Sequence, residues 1–117
     1  MDELANFLPR AQWVQRGQYT WICKDPNLNP IMERFKAQLP DRFRSGQLHA
    51  WKTLGNTKVM QTVAYVIPVS IIEGSARILK NAEDCEELLP GSEPIHFEND
   101  VVISGNLYYV LAYPTGP

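Results

Sequence analysis

From residue 81 to residue 117 the chain holds no lysine and no arginine. Seven carboxylates stand in that stretch, Glu83, Asp84, Glu86, Glu87, Glu93, Glu98 and Asp100, and give it a charge of −7. Residues 1–80 carry eleven basic and six acidic side chains, a net +5. The formal charge of −2 therefore averages two opposed halves, and a separation of this kind steers a partner's approach and fixes its orientation.

Other shortages narrow the function. Metal ligands are scarce: Cys23, His49, Cys85 and His96 lie far apart, whereas structural zinc sites present some ligands as close pairs, so neither a metal nor a cofactor is expected. Cys85 sits among Glu83, Asp84, Glu86 and Glu87, anions that disfavour a thiolate and argue against a cysteine nucleophile. Cys23 follows Trp21-Ile22 and reads as a small buried apolar residue. The seven glycines are scattered, with neither G-x-x-x-x-G-K nor G-x-G-x-x-G among them. His96, Glu98 and Asp100 would share one face of a strand, but no nucleophile accompanies them, and a solvated face is the preferred reading. The chain is thus expected not to be an enzyme. Apolar runs are too short for a membrane span or a secretory signal after Met1-Asp2-Glu3, which predicts a cytoplasmic protein with reduced thiols.

What is present suits one domain over residues 1–117, with 114–117 as a frayed tail. The composition is 44% hydrophobic and 21% charged, and a chain of this length buries roughly two thirds of its unfolded surface without staples. Gly-Asn occurs twice, as Gly55-Asn56 between apolar segments 47–53 and 58–67, and as Gly105-Asn106 between 101–103 and 107–113. Glycine at the first central position predicts two hairpins with two-residue turns. Segments 58–67 and 107–113 are apolar on both alternating faces and so are expected in the centre of a sheet. Segments 95–97 and 19–23 are further strand candidates.

Asn29 and Pro30 suit a helix start, Ile31, Met32, Phe35 and Leu39 repeat with its period, and Pro40 stops it. Ser70 through Glu73 has the form of a capping box, predicting a helix to Leu79 with an extended chain as the alternative. Asn81 suits the cap of a third short helix through Leu89. Leu4, Phe7, Leu8 and Trp13 fit an amphipathic helix broken at Pro9. The expected fold is α+β: an antiparallel sheet of about five strands built from two Gly-Asn hairpins, with two or three short helices on one side.

The function expected from these features is protein–protein interaction, as an inhibitor or adaptor acting through segregated charge. The acidic surface would comprise Glu83, Asp84, Glu86, Glu87, Glu98 and Asp100. A basic and aromatic surface would comprise Arg42, Arg44, Trp51 and Lys52, with an aromatic patch drawn from Trp13, Trp21 and Trp51. The partner would be another protein with a basic surface. Clustered carboxylates can occupy a groove that normally takes phosphates, as in small inhibitors of nucleic-acid enzymes encoded by viruses or mobile elements, and self-association is the competing use of the charge. One alternative is a small enzyme or ligand-binding domain with a pocket between sheet and helices. The other is a nucleic-acid module using region 34–58, which a sequence pI near 5.6 disfavours.

Overall fold

In the computed structural model, which describes residues 2–43, 45–59, 64–81 and 83–113, seven strands form one antiparallel sheet. They are β1 (Trp13–Gly17), β2 (Thr20–Cys23), β3 (Gln47–Val59), β4 (Ala64–Leu79), β5 (Cys85–Glu87), β6 (Ile95–Phe97) and β7 (Val101–Tyr113). The order across the sheet is β1-β2-β3-β7-β4-β5, and β6 pairs with the start of β4. Two α-helices, α1 (Asp2–Phe7) and α2 (Leu28–Ala37), complete the α+β architecture.

The three long strands occupy the centre because they are apolar on both faces. Along β7, Leu107, Tyr109 and Leu111 enter one core cluster while Val110 and Ala112 enter another. In β4, Ala64 and Val66 join the first of these and Ile67 and Val69 the second. The second cluster also takes Leu4 and Phe7 of α1 and Leu28, Met32 and Phe35 of α2, so both helices cover the same face. Each buried Val, Leu, Ile, Met or Phe among these contributes about 1.5–3 kcal/mol relative to exposure.

The two Gly-Asn turns are not formed. Gly55-Asn56 lies inside β3 and Gly105-Asn106 inside β7, and the two glycines are register partners. Both have positive φ, 116° and 129°. Glycine is required at both positions, but for a kink in paired strands rather than for a reversal of the chain. The expected strand 58–67 is consequently divided between β3 and β4, and its residues 60–63 lie outside those described. The two-residue loop that does occur is Gln18-Tyr19, joining β1 to β2 through the pair Gly17↔Thr20.

The kink folds the sheet over. Trp51 and Val59 would lie about 26 Å apart in a straight strand, yet they line the same hollow. On β4 the matching irregularity falls between Glu73 and Arg77, which pair with Asn106 and Ser104 across an extra two residues containing Gly74 (φ 69°).

Helix expectations also need correction. α2 begins at Leu28, one residue after Asn27, and Asn29 and Pro30 fall within its first turn, where a missing N–H is harmless. The Asp25 carboxylate organises this start, accepting hydrogen bonds from the backbone N–H groups of Asn27 (2.9 Å) and Gln12 (3.1 Å). Residues 70–79 take the extended alternative, since β7 offers a pairing edge and Ala76 and Ile78 alternate into the core. Asn81 does cap, but it caps a turn: its Oδ1 accepts from the N–H groups of Glu83 (2.8 Å) and Asp84 (2.9 Å). Residues 85–87 then pair with 77–79 instead of forming a helix.

Candidate functional site

The sheet order places the acidic region at one edge of the sheet. β5 and the turn before it hold Glu83, Asp84, Glu86 and Glu87, all exposed. Leu88 anchors this edge: its side chain is 1% exposed and its N–H donates to the Ala76 carbonyl at 2.8 Å. The chain returns through Gly91 to β6, whose Ile95 and Phe97 are buried and whose His96 points outward.

Two adjoining hollows on this edge share Lys80 and His96. One, of ≈480 Å³, is lined by Glu86, Glu87 and Glu93, and the other, of ≈280 Å³, by Glu98 and Asp100. His96, Glu98 and Asp100 line one hollow, but β6 ends at Phe97, so they do not share the strand face expected of them; Glu93, which the sequence left unassigned, lines the other hollow. Two cations face these acids: Lys80 Nζ lies 3.9 Å from Glu86, and Lys58 Nζ 3.9 Å from Asp100. Among the described residues, Glu87, Glu93 and Glu98 have no ion-pair partner within 4.0 Å.

The basic and aromatic candidates do not form one surface. Arg44 lies outside the described residues. Arg42 sits over the rings of Phe43 (4.8 Å) and Tyr65 (5.5 Å), near the end of α2. Trp51 and Lys52, adjacent in β3, face opposite sides of the sheet. Lys52 Nζ lies 5.0 Å from the ring centroids of both Trp13 and Trp21, and Trp13 stacks on Tyr108 at 5.6 Å. This row follows from register, Trp21↔Lys52↔Tyr108, and Tyr108 could not be assigned to it before the strand order was known. Trp51, expected in the same patch, belongs to the other face. Arg34 is held in a bidentate pair with Glu3 at 2.7 and 2.8 Å, which lowers the Glu3 pKa and raises that of Arg34.

Comparison with protein-family models, curated proteins and solved structures finds no match for this chain.

The remaining reactive groups are dispersed. Both cysteines are free: Cys23 is buried, which pushes its thiol pKa up, and Cys85 is exposed on β5. His49 packs 5.9 Å from Tyr113, and burial, with Lys24 adding repulsion, lowers its pKa. His96 lies 4.9 Å from Tyr65, well away from His49's strand. Neither histidine lines the ≈390 Å³ hollow between the end of α2 and Ile67 of β4. Among the described residues, no group of three or more His, Cys, Asp or Glu is placed to hold a metal ion. No helix among the described residues is long and apolar enough to cross a membrane.

Proposed function

We propose that this is a non-catalytic interaction protein, an inhibitor or adaptor, that docks its acidic edge against a basic surface of another protein. The observation that carries the proposal is the pair of adjoining hollows around Lys80 and His96, which gather Glu86, Glu87, Glu93, Glu98 and Asp100 on one exposed edge. The Lys58–Asp100 pair is long and exposed, and the Lys80–Glu86 pair is equally long with Lys80 half-buried; pairs this loose are weak enough for a partner's lysines and arginines to displace. β5 is only three residues long and bears two glutamates, features that blunt an edge strand against pairing with another chain. Docking is accordingly through side-chain charge rather than strand addition.

A groove that holds nucleic-acid phosphates is the partner surface such an edge fits best, and inhibition of a nucleic-acid enzyme complex, in a viral or mobile-element setting, is the use we favour. Two free thiols fit a reducing compartment such as the cytoplasm. The test is affinity capture from host lysate at about 50 mM and about 500 mM salt, with light scattering on the eluate. A stoichiometric partner released by salt supports the proposal. A partner retained equally at both, or a homo-oligomer alone, contradicts it.

A further inference from the structure

On the face of the sheet opposite the helices, the fold at Gly55 closes a hollow of ≈220 Å³. Its walls are aromatic: Trp51 from β3, and Tyr109 and Tyr113 from β7. At its rim stand two cations, Arg16 from the β1 bulge and Lys58 from the end of β3, both exposed. Among the described residues no carboxylate lines it, although Lys58 Nζ also faces Asp100 at 3.9 Å. Two cations thus stand beside three aromatic side chains at this hollow.

A second observation concerns hydrogen bonding. The Tyr109 hydroxyl shares a hydrogen bond with Thr53 Oγ1 at 2.9 Å, and the Trp13 indole N–H donates to the Leu8 carbonyl at 3.1 Å. The Trp51 Nε1–H, by contrast, is buried and has no hydrogen-bond partner among the described residues. A buried donor without an acceptor is costly and uncommon.

We propose that this hollow binds a small planar anion, an aromatic ring bearing one carboxylate. The ring lies against Trp51 and Tyr113, and the carboxylate meets Arg16, whose planar fork matches it, with Lys58 adding charge. Size sets the class: pockets for drug-sized ligands run from about 300 to 1,000 Å³, so ≈220 Å³ accommodates one substituted ring and not a whole nucleotide.

The experiment is a titration of the full ¹⁵N-labelled chain with benzoate, with benzamide and adenosine monophosphate as comparison probes, following the three indole N–H resonances. Trp51→Phe assigns its resonance, and Arg16→Ala and Lys58→Ala, at exposed positions that leave the core intact, test the charge contacts. The expected result is a saturable shift of the Trp51 indole with Kd below about 1 mM, weakened about tenfold or more by Arg16→Ala and for benzamide. No saturation by about 20 mM, equal affinity for Arg16→Ala, shifts confined to Trp13 and Trp21, or saturable binding of the nucleotide in place of benzoate would each overturn the proposal.

Discussion

Gly55 and Gly105 face each other across β3 and β7, both at positive φ, so one kink crosses two strands at a single register position. The curvature of the sheet, and with it the hollow beside Trp51, depends on this pair. The two positions differ in their surroundings. A Cβ on Gly105 would stand 2.7 Å from the Ser75 carbonyl oxygen and 2.8 Å from Ala76 Cα, both backbone atoms of β4. A Cβ on Gly55 would first meet Tyr19, at 3.5 Å from its ring, an ordinary van der Waals contact.

Gly105→Ala should therefore cost about 3 kcal/mol or more, combining strained φ with a backbone clash, while Gly55→Ala should cost about 1–2 kcal/mol from φ alone. Urea unfolding of the two variants checks this. Equal losses would mean that β4 moves away from Gly105 without penalty.

The Gly-Asn pairs also show what was legible in the chain. A two-residue hairpin turn and an in-strand kink both demand positive φ, so the local signal is the same, and only the pairing of position 55 with position 105, a non-local fact, distinguishes them. The sheet class, the central place of residues 107–113 and α2 were legible because double-sided apolar alternation and the Met32 and Phe35 spacing are local patterns. Residues 70–79 were ambiguous for the opposite reason: the helical signal at Ser70 and Glu73 yields to the pairing edge that β7 provides. In the acidic edge, the carboxylates were readable as a composition, and their gathering around Lys80 and His96 came from the return of β6 onto β4. The Trp13, Lys52, Trp21 row required strand order and could not be read from the sequence.

Tyr109 is 1% exposed and its hydroxyl is bonded to Thr53, itself 0% exposed. Tyr109→Phe leaves the Thr53 hydroxyl short of a partner and is expected to cost about 1–2 kcal/mol. Adding Thr53→Val should recover part of that loss, measured as a double-mutant cycle in urea; strictly additive losses would show that the two hydroxyls act independently.

His49 gives stability a pH dependence of known sign. Burial and Lys24 depress its pKa from the ordinary 6.5, so the unfolded chain takes up the proton first as the pH falls. The contribution of neutral His49 is fully present above pH 6.5 and is lost as the pH drops through that value toward the depressed folded pKa. Thermal unfolding between pH 7.5 and pH 5 should show a decline that His49→Gln flattens. A decline of the same slope in that variant would assign it to other groups. The Glu3 carboxyl, lowered by Arg34, acts in a separate window below pH 4.5.

The thiols should differ in reactivity. Cys85 is exposed and Cys23 is 6% exposed with its pKa raised. A disulfide reagent at neutral pH should modify Cys85 rapidly and Cys23 only on unfolding, as counted by mass spectrometry. Simultaneous modification of both in the folded protein would show that the first strands open readily.

The acidic edge is the centre of the functional proposal, and charge reversal tests it most directly. Once a salt-released partner is in hand, its affinity should be measured for the unaltered chain, for Glu86→Lys/Glu87→Lys and for Lys24→Glu as a control outside that edge. The double reversal should weaken binding by about 100-fold at low salt with the circular dichroism spectrum unchanged, and the control should change it by less than about threefold. Equal affinity for the double reversal and the unaltered chain would contradict docking through this edge.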